Sequence, residues 1–255
     1  MPGLKGVVMA GGLGTRFKPL THYMQKCMIP IGEKEKPLLE YIVRLYRHHE
    51  IGELVFLAGY KHQQIQNYFE NGERFGVKID YVLDRPDLKG SANALLNAYW
   101  KGAFSEDDTL IIYYGDIISN IDLKELYTQH NQTNADATLG LATSFKVNVG
   151  VAGTKGHWVK TFEEKPALQA PVTIGVLAMS GSLLPMVELL HEENHYKSYD
   201  IMGHVIQHLV ETDGKVGAYL TDAFWYDVGS IERLERLDSD VLSRELDFLF
   251  NDRGE

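Results

Sequence analysis

Apolar segments of strand length alternate with amphipathic segments of helix length through the first 116 residues of this 255-residue chain. "KGVVMA" (residues 5–10) is a short apolar run that stops at glycines. "KPLLEYIVRLYRHH" (36–49) carries Leu38, Ile42, Leu45 and Tyr46 at helical spacing. "ELVFLAG" (53–59) is apolar again, and "HQQIQNYFENG" (62–72) reads as a helix with Ile65, Tyr68 and Phe69 inward and Gly72 as its stop. "KIDYVLD" (78–84) is a third strand, and "SANALLNAYW" (91–100) a third helix with Ser91 as its N-cap. "TLIIYYGD" (109–116) is the most apolar strand, the pattern of one at the centre of a sheet covered on both faces. Strands recurring about every 25 to 30 residues with helices between them predict a doubly wound, mostly parallel, Rossmann-like α/β sheet. Such sheets bind ligands at the carboxyl ends of their strands. The glycines after Ala10 and the carboxylate of Asp116 both fall at such ends.

After Asp122 the pattern turns richer in strands. "ADATLGLATS", "VNVGVAG", "WVKTFEEKP" and "VTIGVLAMS" read as strands, with "GTKG" (153–156) as a hairpin turn. Helices are expected over 182–191, 199–211 and 231–249, and "KVGAYLTDAFWYDVGS" (215–230) resembles a strand pair. With no repeat and no linker, the expectation is one domain over 1–255. About 1–120 form its nucleotide-binding half, and about 121–240 a second-substrate half.

Bulk properties narrow the function. The net charge of −10 argues against general nucleic-acid binding, which needs many phosphates neutralised, and against an anionic membrane surface. Cys27 is the only cysteine, which excludes an intramolecular disulfide and any CxxC zinc site. No run approaches the roughly 20 apolar residues of a membrane span, and "GVVMA" is short for a signal peptide. A cytoplasmic protein is expected.

Four features carry chemistry. "AGGLGTRFKPL" (10–20) places Gly11, Gly12 and Gly14 beside Thr15 and Arg16. Successive glycines turn backbone N–H groups toward an anion, Arg16 can bridge phosphate oxygens, and Lys26 adds a point charge. A tight turn with solvated charges uses the same residues. The segment is neither G-x-G-x-x-G nor Walker A. Asp116 in "YYGD" and Asp227 in "FWYDVGS" each follow an aromatic strand, 111 positions apart. Two such carboxylates suit Mg²⁺, which fills its shell with phosphates and water; caps or turn aspartates are the alternative. In "FEEKP" (162–166), Glu164 can accept from sugar hydroxyls and Lys165 can meet a phosphate, or both can be a solvated strand end.

Together these motifs resemble the sugar-1-phosphate nucleotidyltransferase (NDP-sugar pyrophosphorylase) family. "GGLGTRFKPLT", "QKCMIPIG", "EKPLLEYIV", "LKGSANALLNA", "YYGD", "FEEKP" and "FWYDVGSIERL" are similar, in order, to its G-G-x-G-T-R-L-x-P-L-T, P-K-P-M, K-P-x-L/I-E, L-G-T-A-x-A-L, G-D, E-K-P and W-x-D-x-G-T motifs, over about residues 4–235. The resemblance implies a GT-A-like nucleotidyltransferase fold with a sugar-binding elaboration. It implies a nucleotide site at Ala10, Gly11, Gly12, Gly14, Thr15 and Gly90, to which the segment before Gly90 adds Asp84 as a candidate although "DRPDLKG" (84–90) departs from the family pattern, and a triphosphate clamp of Arg16 and Lys26. It implies Mg²⁺ on Asp116 and Asp227, and sugar-phosphate contacts from Gly150, Glu164, Lys165 and Thr173. Gln25 and Cys27 stand where the family has prolines, which is expected to alter local backbone stiffness. "TIG" (173–175) replaces N-A-G.

The reaction implied is NTP plus hexose 1-phosphate giving NDP-sugar and pyrophosphate. Glucose 1-phosphate is the expected sugar, with mannose 1-phosphate and GTP as the alternative pair. A silent nucleotide-sugar-sensing regulator on the same fold is a second alternative. For the base, Asp84 or Asp87 can accept from guanine, and Arg85 can donate to a pyrimidine carbonyl. The sequence leans to UTP or dTTP without choosing between these side chains. Homo-oligomerisation is left open.

Overall fold

A computed structural model describes residues 3–147, 149–168, 170–194 and 196–251. Seven strands form its main sheet: β1 (Leu4–Ala10), β2 (Glu53–Ala58), β3 (Lys78–Leu83), β4 (Thr109–Tyr114), β6 (Ala137–Ala142), β9 (Val172–Ser180) and β10 (Val216–Thr221). Four further strands lie outside it and matter below. They are β5 (Ile117–Ser119), the hairpin of β7 (Val151–Lys155) with β8 (Trp158–Glu163), and β11 (Trp225–Asp227). The sheet order is β3-β2-β1-β4-β9-β6-β10, so β4 is the middle strand, as its apolar run predicts. Every pairing is parallel except those of β9, which runs antiparallel to both β4 and β6.

Alternating side chains divide the interior in two. Val8, Ala10, Phe56 and Tyr113 point to one face, which α1 (Leu38–His48), α2 (His62–Phe69), α4 (Leu123–Thr133) and α8 (Ser239–Leu246) cover. Val7, Leu57, Ile112 and Leu177 point to the other, under α3 (Ser91–Trp100), α5 (Leu184–Asn194) and α6 (Gln207–Glu211). Double coverage explains why β1, β2 and β4 read as unbroken apolar runs. No described helix is long and apolar enough to cross a membrane.

Several sequence expectations shift. The helix expected from residue 36 starts at Leu38, because Lys36–Pro37 pairs as a short strand with Pro30–Ile31. The helix closed by Gly72 instead ends at Phe69, with Glu70 taking φ 49°. Strand β7 runs on through Lys155, so the hairpin turns at 156–157, with only Gly156 of "GTKG" in the turn. The helix expected over 199–211 begins at Ile201 with a π-helical stretch to Ile206. That expected over 231–249 breaks into α7 (Ile231–Glu235), α8 and a final 3₁₀ turn, because the Asp238 carboxylate caps α8 by accepting from Asp240 and Val241 N–H. The two strands of 215–230 do not pair with each other: β10 joins β6, and β11 joins β5. Of "VNVGVAG", Asn148 lies outside the described residues.

Candidate active site

The glycine loop leaves β1 at the carboxyl edge of the sheet. Ala10 is fully buried, and Gly11 to Gly14 carry the chain to a 3₁₀ turn (Thr15–Phe17) anchored by buried Phe17. Thr15 and Arg16 face solvent. Thr21 Oγ1 donates to Gly14 O at 2.9 Å and pins the turn.

Gln25, fully buried, holds the next segment. Its Nε2 donates to Ala10 O at 2.9 Å, its Oε1 accepts from Cys27 N–H at 2.5 Å, and its own N–H donates to Gln64 Oε1 at 2.7 Å. The expectation that the departure from proline acts on backbone stiffness is therefore incomplete, because the amide ties the end of β1 to the turn carrying Lys26. From that turn Lys26 Nζ donates to Asp116 Oδ2 at 2.5 Å. Burial disfavours the Lys26 charge, and Cys27 and Asp116 outweigh it, holding the ammonium above its ordinary value. Burial also pushes the Cys27 thiol up to about 11, so the thiol is neutral at pH 7 and Asp116 is the effective counter-charge.

The two aspartates emerge side by side. Asp116 follows β4, and Asp227 ends β11, which lies antiparallel to β5 with Asp227 opposite Ile117. Val228 N–H donates to Asp116 O at 2.8 Å. Arg233 Nη1, which the sequence reading missed, pairs with Asp227 Oδ2. A Cβ on Gly229 would stand 2.6 Å from Asp227 Oδ1 and 3.3 Å from Arg16 Nη2, so the tip of Arg16 reaches the Asp227 corner. Among the described residues no cluster of three or more His, Cys, Asp and Glu forms a ready metal cage.

A cleft of about 690 Å³ opens between the loop and the ends of β1 to β4. Gly11, Gly12, Lys26, Asp84, Gly90 and Asp116 all line it. Gly90 is fixed by close approach: φ is 100°, and a Cβ would lie 2.3 Å from Tyr199 O. Ser91 is not the expected N-cap but the first helical residue. Its N–H donates to Asp200 Oδ1 at 3.2 Å, and Ala92 N–H to Tyr199 O at 2.9 Å, so the segment before α6 caps α3.

The expected sugar-phosphate residues lie outside the lining of this cleft. Gly150 and Glu164 are brought together, since a Cβ on Gly150 would lie 2.9 Å from Glu164 Oε2. Lys165 is exposed, with φ 50°. Thr173 precedes a register shift in β9, where Gly175 backs onto Tyr114 and Ile117, the neighbours of Asp116. Phe145 stacks on Trp225 at 5.7 Å, linking the segment before the hairpin to the strand that ends in Asp227.

With this geometry in place, the family model described as Nucleotidyl transferase matches residues 5–244. The chain belongs to the nucleotidyl transferase family. It is 29% identical over 254 residues to a UTP–glucose-1-phosphate uridylyltransferase of Synechocystis sp., covering 95% of this chain and 64% of that one. It is 26% identical over 228 residues to a D-glycero-alpha-D-manno-heptose 1-phosphate guanylyltransferase of Aneurinibacillus thermoaerophilus, covering 89% of this chain and 93% of that one. Among solved structures, one described as a glucose-1-phosphate thymidylyltransferase from Bacillus anthracis superposes with TM-score 0.72 at 21% identity, covering 95% and 96% of the two chains. That likeness shows that the transferase shares the fold. The chain spans just under two thirds of the uridylyltransferase's length.

Proposed function

We propose that this nucleotidyl transferase joins an NTP and a hexose 1-phosphate to give an NDP-hexose and pyrophosphate. One observation carries the reading: Asp116 and Asp227 stand on adjoining backbone at the carboxyl edge, with Lys26 on one and the tip of Arg16 near the other. The glycine loop and the cleft of about 690 Å³ take the nucleotide, and the half after about residue 120 takes the sugar phosphate. Glu164 and Lys165 contact that sugar phosphate, with Gly150 and Thr173 shaping its approach.

A phosphate oxygen of the sugar attacks the α-phosphorus in line, and pyrophosphate leaves. The nucleophile is already an anion, so no side chain has to remove a proton. The protein's part is positioning and charge neutralisation. Backbone N–H groups of Gly11 to Thr15 meet the phosphates, and Arg16 and Lys26 stabilise charge on the departing pyrophosphate. Asp116 and Asp227 are hard oxygen donors of the kind Mg²⁺ takes beside phosphates and water, and an ion held there would neutralise charge on the reacting phosphates. Glucose 1-phosphate is the proposed sugar, and the proposed location is cytoplasmic.

The test is a matrix of NTPs against glucose, mannose, galactose and N-acetylglucosamine 1-phosphates with Mg²⁺, scored by pyrophosphate release. Release that needs both substrates supports the reading. No release from any pair by folded protein supports a nucleotide-sugar-sensing regulator instead.

A further inference from the structure

The relatives named above use UTP and GTP, so membership of the family leaves the base open. Lys26 and Asp116 line the cleft at its charged end, beside β4, while Leu83, Asp84, Pro86 and Leu88 line it at the end of β3, with β1 and β2 between. If the triphosphate takes the charged end, as the proposed function requires, the base lies at the far end.

Of the three side chains the sequence offers for reading it, Asp84 and Arg85 line the cleft and Asp87 does not. Arg85 and Asp87 are committed to each other: Nη2 lies 2.6 Å from Oδ2 and Nε 3.1 Å from Oδ1, both side chains in solvent. Asp84 is different. Its Oδ1 is buried and has no hydrogen-bond partner. Its Oδ2 sits where side chains on two glycines would be, 1.8 Å from a Cβ built on Gly11 and 2.6 Å from one on Gly59. Burial raises its carboxyl above the ordinary carboxylate value, against the pull of Lys101. Asp84 lines a ligand cleft with one carboxylate oxygen unanswered and the other held against bare backbone, so donors brought by whatever fills the cleft can answer it.

We propose that Asp84 selects guanine, its carboxylate accepting from N1–H and N2–H₂ of GTP. This rests on the proposed nucleotidyl transfer and names its nucleotide. An ionised carboxylate only accepts, so it needs two neighbouring donors. Guanine alone presents them on its Watson–Crick edge. Uracil and thymine present one N–H between two carbonyls, and adenine and cytosine set a ring-nitrogen lone pair beside their amino group. Each mismatch points lone pairs at a buried carboxylate and leaves part of it unpaired, which is how a polar site rejects analogues.

Two measurements test this. The first is kcat/KM for GTP, ITP, dGTP, ATP, CTP, UTP and dTTP with the best sugar 1-phosphate, for native protein and Asp84→Asn. The second is calorimetric binding of GTP and UTP to both proteins, which reads the base even without turnover. GTP is expected to exceed UTP and dTTP by at least about 10²-fold. ITP, lacking N2–H₂, should fall about 10-fold below GTP. Replacing the carboxylate by an amide, which offers one donor and one acceptor, should shift the preference toward UTP and dTTP. Three results would overturn the assignment: a pyrimidine nucleotide preferred over GTP in turnover or binding, an unchanged preference in Asp84→Asn, or a loss with dGTP as large as that of the substitution, which would place the carboxylate on the ribose. Failure of turnover with every pair, alongside preferred GTP binding, would count against the proposed reaction and not against Asp84.

Discussion

Lys26 Nζ lies 2.5 Å from Asp116 Oδ2 across 90 residues of sequence, with both side chains less than one-fifth exposed. Asp227 is likewise paired with a cation, Arg233. Each candidate metal ligand therefore already holds a positive charge, at the edge where two strands bring the aspartates together.

Asp116→Asn and Asp227→Asn should each lower turnover at least about 10²-fold, because a neutral amide is a poorer ligand for a hard cation than a carboxylate. Asp116→Asn should also cost about 1–3 kcal/mol of stability by leaving Lys26 without its counter-charge. Pyrophosphate release at limiting Mg²⁺, beside a thermal melt, checks both. Near-native release by either variant would remove that residue from the metal site.

Lys165→Ala should raise KM for the sugar 1-phosphate more than KM for the NTP. Its proposed contact is with the sugar's phosphate, made in the ground state at least in part. Equal effects on the two substrates would place Lys165 elsewhere.

Gln25→Leu should destabilise the protein by about 2–4 kcal/mol, since Ala10 O and Cys27 N–H would lose their buried partner. If the amide acts by placing Lys26, its effect on kcat should vanish in a Lys26→Ala background. Additive effects in that double-mutant cycle would make Gln25 purely structural.

Stability should fall on the alkaline side. The Cys27 thiol ionises near 9.0 in the unfolded chain and is pushed up to about 11 by burial, so between those values only the unfolded state loses the proton. The slope is then about 1.4 kcal/mol per pH unit, downward as pH rises. Lys26, also held above its ordinary value, adds a loss of the same sign as pH climbs through its raised pKa. On the acid side His130, lowered by burial and bonded through its two ring nitrogens to Thr138 and Ser180, adds a loss as pH falls through the ordinary histidine range. Denaturant unfolding of native protein and Cys27→Ala from pH 8 to 11 checks the thiol's share, which should disappear in the variant.

The main sheet was legible because strands covered on both faces must be apolar throughout, as Val7 and Val8 of β1 show by pointing to opposite interiors. Of the candidate site, Gly11, Gly12, Lys26, Asp84, Gly90 and Asp116 were legible as neighbours because they sit at the edge this topology reserves for ligands, whereas Ala10, Gly14, Thr15, Arg16, Asp227 and the expected sugar-phosphate residues lie outside the cleft's lining. What sequence could not show is set by distant partners. Gln25 looked like a lost proline because its partner is the carbonyl that ends β1. Strands β10 and β11 looked like a pair because their real neighbours, β6 and β5, lie far back along the chain. Arg233 has no role that its sequence neighbourhood reveals, and only the fold returns it to Asp227. The break before α8 did carry a local signal, since Asp238 lies two and three residues before the N–H groups it caps.

The most direct test of nucleotidyl transfer follows the phosphates. Folded protein is incubated with Mg²⁺, a hexose 1-phosphate and NTP labelled separately at the α- and γ-positions. The expected result is α-label in an NDP-hexose and γ-label in pyrophosphate, in equal amounts, with neither formed when the sugar phosphate is omitted and both formed at least about 10²-fold more slowly when Lys26 is replaced by Ala. Label released as inorganic phosphate, or no transfer with any sugar 1-phosphate, would contradict the account.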